Sequence, residues 1–269
     1  MSFEGNAVFD LAVPAWDMTV HFINATVQID QPLGDGTRTV GTGFLLQAPR
    51  ADGSPRVVLV TAAHVLDRMP HNEMRVGWRF AQADGSWQYS PAQVRIRDNG
   101  LALWTQHPER DIAVMEVSAP EPFAGAALPL GWLADEHTFE RAQVGPGDEV
   151  MALGYPRGLS ANRAGFPILR SGRIASYPLS PIEAFPTFLI DFTVFPGNSG
   201  GPVFFTAGTR RRDGRTELAH PFIAGIITRQ VELNAERLEI GVVAHALYVR
   251  EAVALLDQAQ AWQGAYSGD

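Results

Sequence analysis

The chain is 269 residues long, enough for one large all-β domain or two small ones with a core that folds unaided. With 46% apolar and 19% charged residues it has the balance of a globular protein, not of a disordered or fibrous one. A net charge of −8 argues against nucleic acid or an anionic membrane as partner, since both select a basic face, and zero cysteines exclude disulfides and thiol chemistry.

The first residues, Met-Ser-Phe-Glu-Gly-Asn, lack a basic n-region and an apolar h-region. A cytoplasmic location is therefore expected, or a periplasmic or secreted one if a leader was removed. No apolar stretch reaches membrane-spanning length. Short β-rich runs separated by turn residues then follow at barrel-like intervals. In the first half they cover residues 18–29, 39–47, 56–61, 74–80, 93–97 and 112–117. Residues 118–148, rich in Pro, Gly and Ala, read as a linker. The second half offers 149–154, 168–176, 187–192, 202–206, 222–228 and 240–244. The run Arg210-Arg211-Arg212 reads as a solvated hairpin tip. Val249, Val253 and Leu256 recur at helical spacing, which predicts a helix over 248–260. The expected fold class is all-β: two six-stranded antiparallel barrels closed by a C-terminal helix. The corresponding units are residues 1–117, the linker 118–148, residues 149–245 and the tail 246–269.

Chemistry concentrates in one turn. Residues 196–202 read Pro-Gly-Asn-Ser-Gly-Gly-Pro, a serine enclosed by glycines that permit strained backbone and close substrate approach. Such a turn can expose the Ser199 hydroxyl and converge N–H groups on one point, as an acyl-transfer nucleophile requires. His64 ends the apolar run Val-Val-Leu-Val-Thr-Ala-Ala-His, and Asp111 opens the run Asp-Ile-Ala-Val-Met-Glu-Val. Base, acid and nucleophile thus each stand at the end of a predicted strand, His64 and Asp111 in the first barrel and Ser199 in the second. Of the remaining histidines, His21, His71, His107, His137, His220 and His245 read as polar surface. No pair of them has metal-ligand spacing, so no metal and no cofactor are expected.

Thr-Ala-Ala-His at 61–64, Asp-Ile-Ala-Val at 111–114 and Gly-Asn-Ser-Gly-Gly-Pro at 197–202 resemble the three catalytic blocks of chymotrypsin-like (trypsin-like) serine peptidases. Gly41-Thr42-Gly43-Phe44, Gly154-Tyr155-Pro156 with Gly158, Ser171-Gly172-Arg173-Ile174 and Ile240-Gly241-Val242-Val243 are similar to segments of the bacterial HtrA/Deg-type branch. The match spans residues 41–256, with no PDZ-like domain after it. The resemblance implies Greek-key barrels and a serine endopeptidase acting through His64, Asp111 and Ser199, with the N–H groups of Gly197 and Ser199 as oxyanion hole.

It also implies where specificity lies. The base of the primary pocket falls on Thr193, which has no carboxylate to pair with a Lys or Arg side chain. The expected substrate-binding residues are Thr193, Val194, Phe195, Pro196, Ile226, Ile227, Thr228, Gly241 and Val243. Their bulk suggests a small or medium apolar P1 residue, with Asp191 keeping a basic one open. Residues 226–229 are expected to form the edge that pairs with extended substrate. Zymogen-type relatives have aspartate where this chain has Asn198, so activity without N-terminal processing is expected. The expected partners are a polypeptide substrate, one specific protein among the options, and a regulatory protein. A catalytically silent binding module of the same fold is the alternative. An α/β-hydrolase esterase fails because strand, not helix, is predicted after Ser199 and because the histidine precedes the serine.

Overall fold

A computed structural model describes residues 15–50, 52–206 and 220–266. The N-terminal hexapeptide and the basic run at 210–212 lie outside the described residues. Residues 18–29 do not form one strand. Met18, Phe22 and Ala25 recur at helical spacing, and helix α1 (Ala15–Ala25) buries Phe22 before β1 (Thr26–Pro32) begins. The Phe22 ring stacks on Phe204 at 3.9 Å between centroids, so tertiary packing from the second half of the chain favours the helical period.

The first sheet holds β2 (Arg38–Gln47), β3 (Val57–Thr61), β4 (Glu73–Ala81) and β5 (Trp87–Arg95). Helix α2 (Ala63–Asp67) follows β3 directly. After β5 come the two-residue strands β6 (Arg97–Asp98), β7 (Leu101–Ala102) and β8 (Thr105–Gln106), then β9 (Ala113–Glu116). Strand order is β5-β4-β1-β2-β3-β9-β8, while β6 and β7 pair separately. Residues 118–148 are not bare linker: they carry α3 (Glu121–Ala126), β10 (Leu128–Pro129) and α4 (Glu136–Arg141). Strand β10 pairs with β2 in parallel, which brings the first sheet to eight strands where six were expected.

The second sheet has the expected six: β11 (Glu149–Gly154), β12 (Ile168–Arg173), β13 (Thr187–Ile190), β14 (Pro202–Phe205), β15 (Phe222–Leu233) and β16 (Glu236–His245). Their order is β12-β11-β14-β15-β16-β13, and an antiparallel bridge from Ile174 to Ile190 joins the two ends into a barrel. Helix α5 (Leu247–Tyr266) lays Val249, Ala252, Val253 and Leu256 on a core shared by both sheets. A buried Arg56 from the first half reaches Asp257 of this helix at 2.7 Å.

His245, expected at the surface, is completely buried between the rings of Phe139 and Phe188, each 5.0 Å away. Burial lowers its pKa from 6.5 to about 4, with the Phe185 backbone opposing in part. The folded state therefore holds this imidazole neutral while the unfolded chain takes up a proton below about pH 6.5. The stability it contributes is complete above that pH and is lost as pH falls toward 4. Two and a half pH units correspond to about 3 kcal/mol. Urea unfolding of wild type should show a smaller midpoint at pH 4.5 than at pH 7.5, and His245→Phe should flatten that slope. An unchanged slope in the variant would assign acid sensitivity elsewhere.

Candidate active site

The register of the first sheet brings His64 and Asp111 together. Thr61 of β3 pairs with Ala113 of β9, so His64, three residues beyond one, and Asp111, two before the other, emerge at the same end. The small buried residues Ala62 and Ala63 let the chain pass from β3 into α2. Asp111 Oδ2 accepts the imidazole Nδ1–H at 2.6 Å, and Oδ1 accepts the His64 backbone N–H at 2.9 Å. Burial raises the Asp111 pKa, but these bonds from His64 outweigh it and the net shift is downward. The carboxylate stays charged, and with the proton held on Nδ1 the Nε2 atom is left as a hydrogen-bond acceptor.

His107 braces the aspartate from behind. It is 5% exposed rather than a surface residue. Its Nδ1 accepts the N–H groups of Glu109 and Arg110, both at 3.1 Å, while Nε2 donates to Glu251 of α5 at 2.9 Å. The turn that presents Asp111 is thereby tied to the C-terminal helix.

Ser199 sits in the glycine turn before β14. Gly197 has φ +97°, and a Cβ there would lie 2.3 Å from the Tyr155 carbonyl oxygen. Gly200 has φ +88°, and its Cβ would lie 2.1 Å from Thr42 O, so only glycine fits either place. The Pro196 carbonyl accepts the Arg157 N–H at 2.6 Å. In a trans peptide the next N–H points the opposite way, so Gly197 N–H faces away from Arg157. The Ser199 hydroxyl donates to Thr228 O at 3.2 Å. It makes no hydrogen bond to His64 among the described residues, as is common in apo sites.

Thr42, absent from the expected site residues, fastens this turn to the first sheet. Its N–H donates to Ser199 O at 3.0 Å, and its hydroxyl donates to Gly197 O at 2.7 Å while accepting Tyr155 N–H at 3.1 Å. One buried side chain from β2 thus holds the serine turn of the opposite barrel. The only hint in the sequence is a polar residue between Gly41 and Gly43 at the head of an apolar strand.

His64, Asp111 and Ser199 open onto one cleft of about 650 Å³. Val194, Phe195, Pro196 and Thr228, four of the candidate binding residues, also line it, together with Val242. Other expected binding residues lie elsewhere. Ile226, Ile227 and Val243 are buried in the hydrophobic cores, because both faces of the strands β15 and β16 are covered at that level. Thr193 and Gly241 do not line the cleft, and a Cβ on Gly241 would press on Val194 at 2.7 Å. The edge of β15 also starts later than expected. Ile226 is still paired with Pro202, and Ile227 bonds to Gly200 and Gly201. A register shift follows between Ile227 and Arg229, and residues 229–233 pair with β16 alone among the described residues. Arg68, Arg229, Gln230, Val231, Glu232 and Arg237 complete the cleft wall.

Among solved structures, the chain is similar to the serine endoprotease from Yersinia pestis at 16% identity, with 93% of this chain and 68% of that one covered and a TM-score of 0.54. It is also similar to the HtrA-type protease AlgW with decapeptide, at 17% identity, 90% and 68% coverage and a TM-score of 0.52. These likenesses establish the fold. No curated protein sequence matches the chain. The model of the trypsin-like peptidase domain matches residues 41–209, more than half of the chain and a span that includes His64, Asp111 and Ser199. By that match the chain belongs to the trypsin-like peptidase family, and it is a serine endopeptidase.

Proposed function

We propose that the enzyme cuts polypeptides through Ser199 as nucleophile, His64 as general base and then acid, and Asp111 as the group that orients the imidazole. The observation that carries this is the 2.6 Å bond from His64 Nδ1 to Asp111 on the cleft that also holds Ser199. As Ser199 Oγ attacks the carbonyl carbon, Nε2 takes the hydroxyl proton and the imidazole becomes cationic beside the Asp111 carboxylate. The same proton passes to the leaving amine, and a water repeats the sequence to release the acyl group. The N–H groups of Gly197 and Ser199 receive the oxyanion; each such donor contributes about 3 kcal/mol to the barrier reduction.

Cleavage should follow a small or medium apolar residue. Val194 and Val242 form apolar wall, whereas Asp191, the carboxylate that kept a basic side chain open, is exposed and off the cleft. Asn198 is 2% exposed and uncharged, so it needs no ammonium partner, and the enzyme should be active without N-terminal cleavage. Treatment of the intact chain with a fluorophosphonate tests these readings together. Wild type should gain one adduct at Ser199 and Ser199→Ala none, with mass spectrometry showing an uncut N-terminus. An unlabelled wild type under all conditions would favour a silent binding module, and labelling only after N-terminal cleavage would refute the maturation reading.

A further inference from the structure

The charge on the cleft wall is uneven, and from it we propose that the enzyme selects polypeptides bearing acidic side chains on both sides of the bond it cuts. This rests on the reading of Ser199, His64 and Asp111 as the hydrolytic centre. Three arginines and two carboxylates line the cleft. Glu232 is offset by Arg237, 3.6 Å away on the other arm of the β15–β16 hairpin. The Asp111 carboxylate is occupied by its two bonds from His64. Arg68 and Arg229 remain, both exposed and neither in an ion pair among the described residues.

They enter the cleft from opposite barrels, Arg68 from the helix that carries His64 and Arg229 from β15, next to the Thr228 carbonyl that accepts the Ser199 hydroxyl. Arg229 begins the stretch of β15 that has no neighbour on its cleft side, so a peptide strand added to that edge passes it. Arg68 closes α2, its N–H bonded to the His64 carbonyl oxygen at 3.2 Å, so it reaches the cleft from the barrel opposite to the one that carries Arg229 and Ser199. A carboxylate on each flank would meet one guanidinium, with the planar fork suited to a bidentate contact. The contrast with the chain's overall charge of −8 matters: the surface repels acidic polypeptides, and the cleft offers them two cations.

The test is binding to the full chain carrying Ser199→Ala, so that no turnover is needed. Fluorescently labelled peptides share one apolar P1 residue and carry Asp, Ala or Lys on one flank or the other. Anisotropy should show affinity about fivefold higher for Asp than for Ala on each flank, and lowest for Lys. The gap should shrink at high salt. Arg229→Glu should invert the preference on the edge-paired flank alone, and Arg68→Glu on the other flank alone; a merely structural role for either residue would not invert it. Equal affinities across the series, absence of binding included, or a preference that survives both reversals overturns the inference. Ser199-dependent cleavage of all peptides at one rate defeats this inference but not the hydrolytic reading. Charge-selective binding without any fluorophosphonate adduct on wild type does the reverse.

Discussion

Asp111→Asn should lower kcat by about 10⁴-fold while leaving KM and the unfolding midpoint close to wild type. The reason lies in the two hydrogen bonds that the carboxylate accepts. One comes from the His64 backbone N–H, which is a donor in every protonation state and must keep an oxygen opposite it. In the asparagine variant the amide oxygen takes that place, and the NH₂ group then faces Nδ1. Two donors cannot share a bond, so Nδ1 becomes the acceptor and the imidazole proton moves to Nε2. The atom that should remove the Ser199 proton is then already protonated. Single-turnover kinetics on a chromogenic peptide give the ratio directly, and a loss below a hundredfold would mean that Asp111 merely packs beside His64. Fluorophosphonate labelling should slow in parallel, since it draws on the same activated hydroxyl.

Arg79→Met should reduce folding stability by about 3 kcal/mol, the range found when buried acceptors lose a charged donor. Arg79 is 2% exposed and has no carboxylate partner among the described residues. Its charge is spread over oxygens instead. One terminal nitrogen donates to Tyr155 OH at 2.9 Å and Gly165 O at 3.3 Å. The other donates to the carbonyls of Ile23 and Asn24, each at 3.1 Å, and of Thr26 at 2.8 Å. The first two of these carbonyls close helix α1, where the dipole favours a cation and the last C=O groups have no intrahelical donor. Rings of Phe123 and Phe166 cover the guanidinium at 5.3 and 5.0 Å. Burial lowers the Arg79 pKa, with the interactions with Tyr155 opposing.

Methionine fills most of the volume and leaves those acceptors without a donor. Lysine should rescue little, because a single ammonium cannot serve two acceptor groups at opposite ends of a fork. Urea denaturation of the three proteins reads the difference, and a fully stable Arg79→Lys variant would contradict the argument. Activity at low denaturant should fall as well. Tyr155 N–H is bonded to Thr42, and Tyr155 O lies against Gly197, so loosening Tyr155 disturbs the turn that carries Ser199.

The candidate site was legible because its parts are local. A serine between glycines, a histidine after an apolar run and an aspartate before another each carry their chemistry within a few residues, and antiparallel pairing of β3 with β9 needs only strand periodicity to place two of them at one end. The strands of the second barrel were legible for the same reason. Residues 18–25 were not, since a short apolar stretch supports either period and Phe204, far along the chain, decides in favour of helix. Ile226, Ile227 and Val243 were misplaced on the cleft because alternation names two faces of a strand without saying that both are covered.

What the sequence by itself determined is the family, through the three blocks that carry His64, Asp111 and Ser199 and the glycine turn around the last of them. What the tertiary structure decided is their support. Thr42 grips a turn 155 residues away, Arg79 reaches a tyrosine 76 residues away, and His107 ties the aspartate turn to a helix 144 residues on. No local pattern encodes such pairs, because each polar group finds its partner only when burial removes water as the competing one.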